Sequence, residues 1–151
     1  MNKVALCLPL RADRHVLLGW KQRGFGAGNL VALGGKLQAG ESAAQAASRE
    51  LWEEAGLMVD VSDLQPAAQL AFLFPARPVW DHAAQVFVVR CWQGESKPSE
   101  EMAPHWVAWD ALPFAAMWDD SRFWLPRVLA GEYVRATYVY GDALTVVAQH
   151  G

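Results

Sequence analysis

Three glutamates, Glu50, Glu53 and Glu54, fall within five residues in the stretch RELWEEAGL, with a single arginine, Arg49, beside them. On an α-helix the spacings i, i+3 and i+4 put all three carboxylates on one face over one turn, while Leu51 and Ala55 point away toward a core. Two chemistries fit such a cluster. One is a solvated acidic face, where like charges cost a few tenths of a kcal/mol per pair; the other is an oxygen-rich cation site. Partial desolvation favours the second, because carboxylates about 5 Å apart repel by roughly 3 kcal/mol at an effective dielectric near 20, which calls for a counter-ion. A hard divalent cation such as Mg²⁺ answers that need: it takes oxygen ligands, keeps part of its water shell and leaves positions open for phosphate.

The helix that must carry these carboxylates is well signalled. Ser42 and Gln45 make a capping-box pattern, alanines follow at 43, 44, 46 and 47, and Gly56 is placed to end it. Upstream, the alternation of Val4, Leu6, Leu8 and Leu10, the turn-like RADRH and then VLLGW predict two strands joined by a short loop. The segment KQRGFGAGN reads as a basic loop whose glycines let backbone approach a ligand closely. Strands are expected at 67–74 and 84–92, a polar loop over QGESKPSEEMAP, a second helix near 121–130, and a terminal hairpin turning on Gly141-Asp142.

Composition narrows the function classes. With 151 residues, 53% apolar and 19% charged, the chain can bury one sizeable core, so a single domain over 1–151 is expected. A net charge of −3 without a basic tract argues against duplex nucleic acid, and an anionic ligand must be held locally. Cys7 and Cys91 sit far apart in apolar surroundings and read as two buried thiols in a reducing cytosol. The N-terminal MNKVALCLPL is too short an apolar run for a signal sequence or a membrane span, so a cytoplasmic protein is expected; either a monomer or a small homo-oligomer is compatible with the sequence.

The spacing Gly35, five residues, Glu41, seven residues, then Arg49-Glu50-Leu51-Trp52-Glu53-Glu54-Ala55-Gly56-Leu57 resembles the Nudix box, Gly-x5-Glu-x7-Arg-Glu-U-x-Glu-Glu-x-Gly-U with U a bulky aliphatic residue, at every specified position. The resemblance implies an α+β fold, an α/β/α sandwich around a mixed central sheet, and hydrolysis of a nucleoside diphosphate linked to a further group. By position it makes Glu50, Glu53 and Glu54 metal ligands and catalytic residues, with the Gly35 carbonyl as an additional ligand and Mg²⁺, or alternatively Mn²⁺, as the ion. Arg49 and Glu41 become a structural pair bracing loop against helix. The chemistry matches the residue types, since a pyrophosphate bond needs its charge neutralised and a water aimed at phosphorus. A general base or extra metal ligand is expected outside the box, at Glu101 in preference to Glu100, because Glu101 belongs to the segment of closer resemblance.

Beyond the box, VLLGWKQRGFGAG, EMAPHWVAWDALPF and MWDDSRFWLP are similar to segments of the animal Nudix branch that hydrolyses oxidised purine nucleoside triphosphates such as 8-oxo-dGTP to the monophosphate and pyrophosphate. That similarity makes Phe25, Phe72, Phe74 and Trp118 candidates to line a base pocket, Asp120 a candidate for the base edge, and Lys21, Arg23 and Lys36 candidates for phosphate. Each aromatic could equally be plain core. Two positions depart from the branch: Val31 stands where it has asparagine, and Trp118-Asp119-Asp120-Ser121 replaces Trp-Pro-Asp-Asp. The base-reading set is therefore incomplete. Rival readings are a Nudix hydrolase of a nucleotide sugar, dinucleotide or other triphosphate, and a non-catalytic Nudix-like nucleotide-binding module.

Overall fold

The computed structural model describes residues 1–151, and its organising element is the first strand, β1 (Asn2–Arg11). Its side chains are apolar on both faces, so it is buried on both: Leu8 and Leu10 enter one core, Ala5 and Cys7 the other. Along one edge β1 pairs in parallel with β6 (His82–Val89). Its other edge forks. Val4 to Cys7 pair antiparallel with β4 (Leu33–Lys36), whereas Leu10 and Arg11 pair with β2 (His15–Lys21). From β6 the sheet continues through β5 (Gln65–Leu73), which runs parallel to β8 (Val134–Tyr140), and ends on β9 (Val146–His150). On the far side of the fork β2 is flanked by β3 (Leu30–Val31) and β7 (Met102–Ala108).

This mixed sheet is covered on its two faces by different helices. The capped helix α1 (Ala43–Ala55) lays Ala46, Ala47, Leu51 and Ala55 onto the Ala5, Cys7, Phe87 and Val89 side. Both halves of its capping box form, Ser42 Oγ accepting from Gln45 N–H at 3.1 Å and Gln45 Oε1 accepting from Ser42 N–H at 2.9 Å. Gly56 ends it in the left-handed region at φ 71°. The second helix, α2 (Ser121–Leu129), covers the other face with Trp124, Leu125 and Val128. No helix is long and apolar enough to cross a membrane.

The expected elements recur with three instructive differences. Met102-Ala103-Pro104 belongs to β7 instead of the preceding loop; Pro104 is tolerated because β7 is an edge strand paired only with β2. The terminal hairpin turns through Gly141 to Thr145, not on a two-residue Gly-Asp turn, with Gly141 N–H bonded to Thr145 O at 2.9 Å and Leu144 at φ 58°. Of the two thiols only Cys7 is buried, which pushes its pKa up to about 12. Cys91 is exposed, because it lies just past the end of β6, beside Asp63.

The fork depends on a close approach. Gly34 sits at φ 149°, and a β-carbon there would fall 2.0 Å from the Ala5 carbonyl oxygen. Backbone cannot yield as a flexible side-chain tip can. Gly34→Ala is therefore expected to cost about 2 kcal/mol or more and to lower Tm by about 4 °C or more; a thermal melt matching wild type would show that β4 does not need this contact.

Candidate active site

The packing of α1 against β4 brings the acidic turn onto the glycine pair. Glu54 is 3% exposed, and its Oε1 accepts the Gly34 N–H at 2.8 Å. Removal from water pushes its pKa up to about 8, with the nearby charges of Glu50 and Glu101 adding to the rise, while the Gly34 N–H and the charge of Lys21 oppose it. Glu50 lies directly against Gly35, where a β-carbon would fall 2.7 Å from a Glu50 carboxylate oxygen, so a side chain at 35 would push that carboxylate aside. Burial also raises Glu50, against the opposing pull of Arg49.

Arg49 gathers the remaining charge. Its Nε and Nη2 donate to the two oxygens of Glu41 at 2.7 and 2.9 Å, a bidentate fork. Nη1 donates to Glu50 at 2.8 Å and to Glu53 at 3.1 Å, and Nη2 also reaches the Lys36 carbonyl at 3.1 Å. Glu41 in turn accepts the Gln38 N–H at 2.9 Å, and the guanidinium holds its pKa down to about 2. No three acidic side chains converge tightly enough to cage an ion unaided, and both Glu50 and Glu53 are turned onto the guanidinium. The donors nonetheless suit a hard cation that keeps much of its water: clustered carboxylates, the Gly35 cradle, and a cationic group already standing among them.

A cavity of about 200 Å³ opens from this point toward α2. Gly34, Gly35 and Lys21 line one end; Phe72, Phe74, Trp118 and Asp120 line the other, with Phe25 and Val31 on the walls. The structure thus brings eight of the candidate residues to one cavity. Phe25, held in the glycine loop, stacks on Trp118 at a centroid separation of 5.1 Å and 23° between planes. Arg23 and Lys36 are not in the lining. Arg23 pairs with Glu100 at 3.3 Å and Glu101 at 3.7 Å, and the Lys36 side chain is exposed. Of the two loop acids Glu100 is the more exposed, at 84% against 52%, and Glu101 is the one whose charge reaches Glu50 and Glu54.

Asp120 lines the cavity with both carboxylate oxygens already engaged. Oδ1 accepts from Trp124 Nε1 at 2.7 Å and Oδ2 from the Tyr140 hydroxyl, while burial raises its pKa. Asp119 points elsewhere, pairing with Arg122 at 2.9 Å and accepting the Val146 N–H at 2.7 Å, so it ties β9 to the start of α2. The lining also includes His82, Trp124, Ser121 and Met102, none of which was selected from the sequence as a binding residue. For two of these a signal existed: His82 has the same parity as Ala84, Val86 and Val88 on β6, and Trp124 is one helical turn from Asp120.

Residues 1–128 match the NUDIX domain. An oxidized purine nucleoside triphosphate hydrolase of Mus musculus is 38% identical over 144 residues, covering 95% of this chain and 89% of that protein. One of the same description from Danio rerio is 42% identical over 115 residues, covering 76% and 72%. Among solved structures, a mutator MutT protein from Bacillus halodurans superposes with a TM-score of 0.82 at 25% identity, over 99% of this chain and 97% of that one.

The Glu41–Arg49 pair makes a signed prediction. Its depressed carboxyl pKa means that the contribution to stability is complete above the ordinary value near 4.5 and is lost as pH falls through about 2. Wild type and Glu41→Gln should therefore differ most in denaturant midpoint near neutrality, and the gap should close toward about pH 2. A gap that is constant with pH would mean that the ionised pair is not its source.

Proposed function

The chain belongs to the NUDIX domain family, and from that premise we propose that it is a divalent-metal-dependent hydrolase of oxidised purine nucleoside triphosphates, releasing the monophosphate and pyrophosphate. One observation carries this reading: a single cavity runs from the glycine pair under Glu50 and Glu54 to an aromatic end beside Asp120. A triphosphate and a purine fit those two ends in the order in which a nucleotide presents them. The likeness to the mouse and zebrafish hydrolases over most of their length supports the same substrate class.

In this reading Glu50, Glu53, Glu54 and the Gly35 carbonyl hold Mg²⁺, for which Mn²⁺ can substitute. When bound, the ion neutralises phosphate charge and makes water a better nucleophile. The protein's own groups do the rest. Arg49 and Glu41 hold the loop and helix in register, and Lys21, within Coulombic reach of Glu54, attracts the phosphates at the glycine end of the cavity. Arg23 and Lys36 add positive charge at the rim. Glu101 takes a proton from the attacking water at a carboxylate oxygen. Phe72, Phe74 and Trp118, with Phe25 as a further wall, stack on the base, and Val31 packs against it without reading it. The two unpaired thiols suit a reducing compartment, in keeping with action in the cytoplasm on the nucleotide pool.

Two measurements test the proposal. Glu53→Gln and Glu54→Gln keep shape and helix propensity but remove a charge, so turnover should fall at least about a hundredfold, roughly 2.7 kcal/mol of barrier, with the fold retained by circular dichroism. Near-normal turnover in both would end the metal-helix mechanism. A nucleotide panel with Mg²⁺ should yield pyrophosphate from purine triphosphates; two monophosphates from a bridged diphosphate, with no pyrophosphate from any triphosphate, would reassign the substrate.

A further inference from the structure

Inside the cavity the polar groups differ in what they have left to offer. Each Asp120 oxygen already accepts one hydrogen bond, from Trp124 and from Tyr140. His82 has an acceptor with none. Its Nδ1 lies 2.8 Å from the Trp80 carbonyl, and since a carbonyl only accepts, Nδ1 must carry the proton. In the neutral ring that leaves Nε2 as a bare acceptor, and no protein group donates to it. The ring is held flat in the wall: it stacks on Phe74 at 6.2 Å and 17°, and tilts on Phe72 at 4.8 Å and 32°. It opens β6 directly opposite Phe72 on β5, which fixes its position in the sheet.

Resting on the oxidised-purine reading above, we infer that His82 is a specificity-determining residue, whose Nε2 lone pair selects purines that present an N–H in place of a lone pair at N7. The chemistry is that of the base edge. Guanine offers two acceptors there, N7 and O6. Oxidation at C8 places a carbonyl on that carbon and a hydrogen on N7, turning one acceptor into a donor. His82 is half-buried, so a bound base takes the place of solvent over Nε2; there the parent base sets lone pair against lone pair, whereas the oxidised base makes a hydrogen bond. A site that hydrogen-bonds a substrate N–H rejects the analogue lacking it far more strongly than an apolar wall does, because its own buried polar atom is left unpaired. Val31 is such a wall and reads no base edge. His82 supplies the discrimination from the sheet.

The decisive measurement is the ratio of kcat/KM for 8-oxo-dGTP to that for dGTP, in wild type and in His82→Phe, which keeps a stacked ring and removes both nitrogens. The ratio is expected to fall at least about tenfold in the variant, mainly through KM for 8-oxo-dGTP. A folded variant with the wild-type ratio would overturn the role. Should His82→Phe fail to fold, wild type alone decides: 7-deaza-dGTP, which lacks the N7 lone pair, should be hydrolysed severalfold more efficiently than dGTP, and equal efficiency would overturn the inference. Wild type that hydrolyses both bases without preference also overturns it while leaving the triphosphatase reading intact. Wild type that hydrolyses no purine triphosphate removes that reading and this one with it.

Discussion

One guanidinium holds the acidic turn together. Arg49 donates to Glu41 through two nitrogens, to Glu50 and Glu53 through the third, and to the Lys36 carbonyl, so a loop, a strand end and a helix all meet on a single cation. Without it, carboxylates drawn in by the packing of Leu51 and Ala55 would repel one another at reduced dielectric. An arginine can do this where a lysine cannot, because its planar fork presents several donors in fixed directions and stays charged in a half-buried setting. Glu54 stands outside this arrangement. It meets no guanidinium, only the Gly34 N–H, and its raised pKa records what burial costs a carboxylate with so little compensation.

The forked partnership of β1 explains why the acidic turn faces a cavity at all. By pairing with β4 near its start and with β2 near its end, β1 parts the strands between Lys36 and Lys21. Helix α1 fills one face behind β4, while α2 covers only part of the other. The uncovered part of that second face, where Val4, Phe72 and His82 sit, becomes the cavity floor. Glycine at 34 is what lets the floor and the acidic turn come so near each other, because any larger residue would collide with the main chain of β1.

Much of this was legible in the sequence, for local reasons. The capping box, the alanine run and Gly56 define α1 without tertiary information, and the i, i+3, i+4 glutamates fix its functional face. The box spacing and the flanking segments pointed to the fold and to the family. What stayed hidden was long-range. The strand character of Met102-Ala103-Pro104 comes from pairing with β2, not from local propensity, and a proline argues against it locally. The engagement of Asp120 by Tyr140 joins residues 20 apart in the chain, and no spacing rule anticipates it. His82 reads as an ordinary strand residue until the Trp80 carbonyl is seen to claim its proton. The exposure of Cys91 likewise depends on where β6 stops.

That last feature makes the molecule unusually simple to label. Cys7 is sealed in the core with its thiol pKa near 12, so it is inert toward soft electrophiles in the folded state, and Cys91 alone is open to them. Asp63 raises the Cys91 pKa as well, so alkylation will be slow near neutrality and faster under mildly alkaline conditions. His82 opens β6 and Cys91 lies just past its end, so at about 3.3 Å per strand residue the thiol is roughly 30 Å from His82 along the strand. A fluorophore or surface tether placed there would report on the protein from the opposite end of the sheet without entering the cavity.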